Sequence, residues 1–430
     1  ESTTESEGLR GPWPFGFRVL LLALALRAGW ALVVPPAPTS DCVAYDLLAR
    51  SIVEGHGYGF APGDLSAYWP VGTSAVFALL YTIFGVGYGP IVVMNVAVGV
   101  ATVWLTMTLA RDWFGDRAGL AAGLLMAVWP GQVEFTTLLA SELLFNVCVL
   151  AALYAESRDR WPAWGRAIAT GVALAAASYV RPLALLLPAI FAFCRIAGPQ
   201  RGSRKWTAVG VEAAATVVVM AVLIAPWTVR NMRVFGRPVL ISTNGGPNLW
   251  MGNNPLSQGG YMDLPPEVDG MNEAVRDKYL GGIAKDYIRE RPGVFLVGVI
   301  KKLRYTHDRE SIGVVWNQEG LTRAFGSGIL MPLKLASAIY WWSMLVLAAV
   351  GAAAAYRRLG FRRFLGLAPL VLWVYFAGVH AVVVGGDRYH YPSVPMIAAL
   401  AGLGAAVVLS RGRADGAAES DHPATDAPAR

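Results

Sequence analysis

An all-α polytopic membrane fold is predicted by three observations. Hydrophobic residues make up 55% of the 430 and charged residues only 15%, with mean hydropathy +0.46. The apolar residues gather into ten long runs, and the basic residues cluster between alternate runs. A soluble globular chain carries about 25% charge, so a chain this poor in charge does not cover soluble cores of this size. Disorder, a collagen-like repeat and a disulfide scaffold are excluded by the same composition. The three cysteines, Cys42, Cys148 and Cys194, show no CxxC spacing and define neither a disulfide framework nor a metal knuckle. The net charge of +7 is assigned to residues flanking the spans rather than to a nucleic-acid surface.

A span needs about 20 apolar residues. The runs are 17–35, 90–110, 118–135, 137–155, 167–181, 183–193, 206–227, 331–356, 364–384 and 392–410. The first is read as a retained anchor, because no small-residue cleavage site follows it. An eleventh run, 70–86, is also apolar. Basic clusters stand at Arg10/Arg18, Arg111/Arg117, Arg158/Arg160/Arg166, Arg195/Arg201/Arg204/Lys205, Arg357/Arg358/Arg362/Arg363 and Arg411/Arg413. Ten spans put every cluster on the cytoplasmic side, whereas an eleventh would turn four of them outside. Residues 70–86 are therefore expected to dip into the membrane without crossing it.

The expected organisation follows from this count. Residues 1–16 and 411–430 are polar, disordered cytoplasmic ends. Residues 17–410 form the transmembrane domain, with a first outer loop at 36–89 and a large one at 229–330. In the large loop, residues 228–261 read as turns and extended pieces. Residues 267–290 read as a helix with Val275, Tyr279, Ile283 and Tyr287 on one face. Pro292 starts a further helix over 293–307.

Chemistry is sought where polar groups sit near the membrane against cost. Asp41 follows the first span and is either an N-cap or a general base at the mouth of the bundle. Glu142 opens the fourth span; it either complements the helix dipole or serves with Asp41 as a second acid or a ligand of a shared divalent cation. Arg181, Arg230 and Arg388 lie at outer span ends. Snorkelling explains each alone, but three outside arginines oppose the positive-inside trend and suit a phosphate. The string from Ile241 to Pro255 carries Asn244, Asn248, Trp250, Asn253 and Asn254 on a Gly-rich turn. Turn chemistry accounts for it, and so does a surface that binds and stacks on sugar. Arg27 lies mid-span, where an intramembrane charge marks function or a structural ion pair. His56 and His390 lack HxxxH spacing, and no Walker, GxGxxG or GxSxG motif occurs.

Taken together, these strings resemble a known family. They are Asp41 with Tyr45, Gly55-His56-Gly57-Tyr58, Trp69-Pro70, Ser141-Glu142, Arg181-Pro182 and Pro226-Trp227-Thr228-Val229-Arg230-Asn231. The 242–255 string and Arg388-Tyr389-His390-Tyr391-Pro392 complete the set. The sequence resembles the bacterial GT-C glycosyltransferases of the protein-mannosyltransferase and aminoarabinose-transferase-like group, over residues 17–410. The resemblance implies a GT-C fold, a sugar donor on a polyprenyl phosphate and transfer on the extracytoplasmic face of the cell membrane. It implies Asp41 as catalytic base with Glu142 as second acid. Arg181, Arg230, Arg388, Tyr45 and His390 are then the donor-phosphate groups. The Asn/Trp string becomes the sugar or acceptor loop. Many relatives have two adjacent first-loop acids, where this chain has Asp41-Cys42. Aminoarabinose-type enzymes have an acid and a lysine where this chain has Tyr68 and Trp69.

The implied reaction is an inverting transfer to a glycan, lipid or protein hydroxyl. No motif calls for a cofactor beyond the candidate cation at Asp41 and Glu142. The alternative is a transporter or flippase. It is disfavoured because neither internal repeats nor a mid-membrane polar belt is visible beyond Arg27.

Overall fold

The computed structural model describes residues 13–199 and 205–420. Arg10, Arg201 and Arg204, and the expected disordered ends at 1–12 and 421–430, lie outside the described residues. The chain enters through α1 (Trp13–Val33), then α2 (Asp41–Val53), a two-stranded antiparallel hairpin of β1 (Gly59–Ala61) and β2 (Asp64–Leu65), and α3 (Val71–Phe84). The central bundle follows as α4 (Gly89–Phe114), α5 (Asp116–Ala127), α6 (Pro130–Glu134), α7 (Glu142–Glu156), α8 (Ala163–Val180), α9 (Leu187–Ala197) and α10 (Trp206–Phe235). A cap is built from α11 (Gly245–Gly252), α12 (Glu273–Glu290), α13 (Pro292–His307), α14 (Ile312–Trp316) and α15 (Gln318–Phe325). The chain returns through α16 (Leu330–Phe364), α17 (Ala368–Val382) and α18 (Val394–Ser420).

All ten expected apolar runs are helical. Five helices among the described residues, α1, α4, α10, α16 and α18, are long and apolar enough to cross a bilayer, or six if α6 and α7 are counted as one broken span. The others fall short: α5, α7, α9 and α17 have 12, 15, 11 and 15 residues, and α8 has 18 but is less apolar. Their hydropathic runs extend into bends, which a hydropathy window does not see. At 14 residues, α3 spans about 21 Å, short of the roughly 30 Å hydrocarbon core.

Three expectations at element boundaries change. α1 begins at Trp13, inside the expected N-terminal tail, with Pro14 in its first turn, where a missing N–H costs nothing. α18 continues to Ser420, ten residues past the expected boundary at 410, because Ala, Arg and Glu sustain a helix after the apolar residues end. α10 continues through Pro226 to Phe235, and residues 245–252 are helical rather than extended.

The residues expected on one face of α12 do share a face, and it turns outward, on a helix that starts at Glu273 and not at 267. Val275, Tyr279 and Ile283 are exposed, while Ala274, Leu280, Gly281 and Ala284 are buried. Small residues let α12 pack closely on α11, and the larger side chains turn outward.

Two apolar cores hold the bundle. One gathers Phe77, Leu109, Phe145, Leu174 and Phe376 from α3, α4, α7, α8 and α17. The other gathers Val19, Val103, Met126, Trp341 and Ile397 from α1, α4, α5, α16 and α18. Between α16 and α18 the contact runs through small residues such as Ala348 and Ala401, the packing that lets membrane helices approach closely. Arg27, buried in α1, meets no acid among the described residues. It donates to the carbonyls of Ala23 (3.2 Å), Ala127 (3.1 Å) and Met126 (3.4 Å), and so satisfies the C-terminal carbonyls of α5.

Between α6 and α7 the chain turns by 118°. Broken backbone at this depth needs internal partners. The Asn95 amide of α4 supplies two bonds, to the carbonyls of Thr136 (3.1 Å) and Leu138 (2.9 Å). The turn brings Ser141 and Glu142 to the N-terminus of α7, at the end of the bundle where α1, α5, α8, α10 and α17 finish.

Candidate active site

Asp41 is presented by the entry into α2. The chain leaves α1 through Pro35, Pro36 and Pro38, and Ser40 turns at φ 52, the one non-glycine residue with positive φ among the described residues. Such strain persists where surrounding structure imposes it. Here it aims the next side chain across the bundle mouth. Asp41 is the first residue of the helix and does not cap it. Its Oδ2 accepts from Arg388 Nη1 at 2.6 Å, and the Trp69 indole lies near enough to lower its carboxyl.

Burial would raise the Asp41 carboxyl. The Arg388 guanidinium outweighs this, with help from Arg181 and Trp69, and holds it below the ordinary carboxylate range. The two side chains keep 26% and 21% of their surface, enough to meet a ligand.

Arg388 is held from several sides. Its guanidinium stands 4.8 Å over the Trp316 ring and 5.3 Å over Tyr389. Asp387 beside it accepts from the Ser311 N–H (3.2 Å) and hydroxyl (2.8 Å). On the other side, the His390 ring is buried and stacked on Trp341 at 4.2 Å. His390 Nδ1 donates to the Thr306 carbonyl at 2.9 Å, and Nε2 faces Glu310 at 3.4 Å. The Trp129 indole donates to the same carboxylate at 2.8 Å. His390, expected from sequence among the donor-phosphate groups, is buried here with both ring nitrogens engaged by protein groups, and it braces the Arg388 loop from behind.

Glu142 and Arg181 form a second pair beside the first. Arg181 donates to Glu142 and, at 3.1 and 2.9 Å, to the Ser141 hydroxyl. The Glu142 side chain is 1% exposed and that of Arg181 11%, so the carboxylate is the inner member. Tyr45, one turn along α2 from Asp41, is buried; burial raises its phenol, and the Asp41 charge adds to this. Asp41, Arg181 and Glu142 all lie within electrostatic reach of this phenol. The candidate cation does not fit this arrangement. An arginine already occupies each carboxylate, and no three His, Cys, Asp or Glu among the described residues lie close enough to hold a metal.

Arg230 is placed elsewhere. It donates to the carbonyls of Ser66 (2.8 Å) and Tyr58 (3.1 Å) and to the Asn231 amide oxygen (3.0 Å), and it stands 4.7 Å over Trp227. It fastens the β1–β2 hairpin to the end of α10 instead of offering its charge to a ligand.

The Asn/Trp string is also largely spent on the protein. Asn253 donates to the carbonyls of Leu249 (2.9 Å) and Val382 (2.9 Å) and accepts from the buried Lys302 ammonium (2.9 Å). Asn254 bonds the Trp250 carbonyl (2.8 Å) and the Leu256 N–H (2.8 Å), and Trp250 is buried against Leu280 and Val384. Asn244 accepts from the Ser242 hydroxyl at 2.8 Å. Asn248 makes no side-chain hydrogen bond among the described residues and remains open to a ligand.

The glycines of the string have the same origin. A Cβ on Gly246 would lie 1.8 Å from the Asp277 carbonyl of α12, and one on Gly252 1.8 Å from that of Val383. α11 is thus wedged between α12 and the segment leading to Arg388.

Several site groups were not singled out from sequence. Ser141 was named only as part of a Ser-Glu pair, and Trp316, Glu310 and Asp387 carried no local signal. Tyr68 stood out only as a departure from the relatives' acid, and Trp69 as part of a Trp-Pro string where they have a lysine. A cavity of about 550 Å³ lies at the opposite end, lined by Asp112, Glu156, Arg158, Asp159 and Arg195. Its charges neutralise one another, Arg158 with Asp112 and Arg195 with Glu156 and Asp159.

Known proteins share this architecture. Residues 69–229 match the family model for dolichyl-phosphate-mannose-protein mannosyltransferase. The archaeal oligosaccharyltransferase AglB from Archaeoglobus fulgidus, solved with an inhibitory peptide and a dolichol-phosphate, superposes with TM-score 0.55 at 14% identity, over 96% of this chain and 53% of that one. ArnT from Cupriavidus metallidurans bound to undecaprenyl phosphate gives TM-score 0.55 at 18% identity, over 95% and 62%. The chain has the GT-C fold. It spans a little over half the length of these solved relatives. No curated protein matches it in sequence.

Proposed function

We propose that this GT-C protein is an inverting glycosyltransferase, moving a sugar from a polyprenyl-phosphate carrier to an acceptor hydroxyl on the extracytoplasmic face of the cell membrane. The observation that carries the reading is the Asp41–Arg388 pair at the bundle mouth, with Arg181 beside it. An ionised carboxylate and a guanidinium side by side are what the transfer requires. The acceptor oxygen bonds to the anomeric carbon as that carbon's bond to the phosphate oxygen breaks. The electron pair leaves with the phosphate, and the acceptor proton goes to Asp41.

Base assistance of this kind is worth roughly 10²–10⁴-fold. Arg388 spends Nη1 on Asp41 and keeps its other N–H groups for the departing phosphate, whose charge grows in the transition state. Arg181, partly accessible beside it, adds a second cation. The sidedness is supported by charge: Arg158, Arg160, Arg195, Arg357 and Arg358 lie at the helix ends remote from Asp41. A dolichol-phosphate in the AglB structure and undecaprenyl phosphate in that of ArnT support a lipid-phosphate donor here.

The test is Asp41→Asn in nanodiscs supplied with mixed polyprenyl-phosphate sugars and membrane acceptors. Sugar transfer should fall at least a hundredfold while undecaprenyl-phosphate binding persists; an unchanged transfer rate overturns the assignment of Asp41. Movement of labelled lipid across the bilayer without product would favour a flippase.

A further inference from the structure

A row of side chains leads from Asp41 into the cap. The Trp69 indole lies near enough to Asp41 to lower its carboxyl, and Tyr68 meets Trp69 edge to face with ring centroids 4.6 Å apart. The Arg276 guanidinium of α12 stands over the far side of this row, 5.4 Å from the Tyr68 ring. Tyr261, 78% exposed, and Tyr389 lie within electrostatic reach of the same phenol, as does Asp41.

Arg276 differs from the other arginines of this end. Arg388 has Asp41, Arg181 has Glu142, and Arg230 has three oxygens. The Arg276 side chain makes no ion pair or hydrogen bond among the described residues, and its Nε is shut off from water without a partner. The adjacent Asp277 is engaged by the Gly246 N–H at 2.6 Å. A desolvated guanidinium N–H left unmade is costly, and a planar anion repays the cost with two parallel bonds.

We infer that Tyr68, Tyr261 and Arg276 form the acceptor subsite, and that the acceptor is a sugar bearing a carboxylate or phosphate. The inference rests on the transfer reading above. A lipid-borne donor phosphate must stay at headgroup depth, beside Arg181 and Arg388 at the bundle end. Arg276 belongs to the polar cap helix, on the water side of Asp41, from which an acceptor arrives. A sugar laid on the Tyr68 face turns one edge to Asp41 and the other to Arg276. Aromatic faces suit the apolar side of a pyranose, and the cation fixes its orientation. Arg276 also neutralises the acceptor's charge, which would otherwise repel the donor phosphate.

The experiment measures binding of glucose, glucuronate and glucose 6-phosphate to the full chain in nanodiscs loaded with undecaprenyl phosphate. At least one charged sugar should bind ten times tighter than glucose. Arg276→Gln should abolish that advantage and Arg276→Lys should retain part of it, with undecaprenyl-phosphate affinity unchanged in both. Equal binding of the three sugars, or an advantage that survives Arg276→Gln, overturns the inference. A loss of undecaprenyl-phosphate affinity in Arg276→Gln also overturns it, by assigning Arg276 to the donor. Asp41→Asn should keep the preference for charged sugar, so a failure of the transfer reading is distinguishable from a failure of the subsite.

Discussion

At Asp41 the carboxyl is buried enough to be raised and is nevertheless lowered, because the Arg388 and Arg181 charges exceed the desolvation cost. A base must be ionised to accept a proton, so the acid limb of transfer should lie below the ordinary carboxylate range. Removing Arg388 leaves the raising effect of burial opposed only by weaker partners. Arg388→Gln should therefore move the acid limb of the pH–rate profile upward as well as weakening undecaprenyl-phosphate binding; an unmoved limb would separate Asp41 from proton transfer. Arg230 gives the opposite expectation. Its N–H groups serve carbonyls of the first loop, so Arg230→Ala should cost about 1–3 kcal/mol of stability and leave the dissociation constant for undecaprenyl phosphate unchanged. Thermal unfolding and lipid binding on the same sample check both halves. Arg181, Arg230 and Arg388 looked equivalent in the sequence because each follows or precedes an apolar run. What distinguishes them is the partner each finds, and no local pattern encodes that.

Two junctions between elements position the site. One is the 118° turn between α6 and α7, whose carbonyls are met by Asn95. Replacing Asn95 by Leu keeps the volume and removes both donors. It should destabilise the fold by about 1–3 kcal/mol and lower kcat by displacing Glu142 and Arg181, as thermal unfolding and single-turnover rates would show. The other is α11, pressed against α12 and against the segment before Arg388. Gly252→Ala would place a methyl 1.8 Å from the Val383 carbonyl, and it should cost about 1–3 kcal/mol, read as a lower unfolding temperature. The string from Asn244 to Pro255 was the most specific motif in the sequence. It marks the junction that holds the Arg388 loop, more than a surface that holds sugar. Motif reading finds where chemistry restricts residue choice, and close backbone approach restricts it as strongly as a ligand does.

For the whole molecule, the sidedness proposed above makes a direct prediction. In a cysteine-free background, a cysteine at Tyr261 should react with a membrane-impermeant maleimide added to intact cells, and one at Arg160 should react only after permeabilisation. The reverse pattern would invert the topology. The membrane class, the apolar segments and two helices of the cap, α12 and α13, were legible in the sequence, because hydropathy and helix starts are properties of neighbouring residues. Asp41, Glu142, Arg181 and Arg388 stood out there as charges near the membrane, but their pairing, Asp41 with Arg388 and Glu142 with Arg181, did not. The count of full-length crossings, the exposed face of α12 and the roles of Arg230, His390 and Asn253 were not legible. Asp41 and Arg388 are 347 positions apart. Whether a charge near a membrane meets a carboxylate, a carbonyl or nothing depends on which helix packs beside it, and that is decided only when the bundle closes.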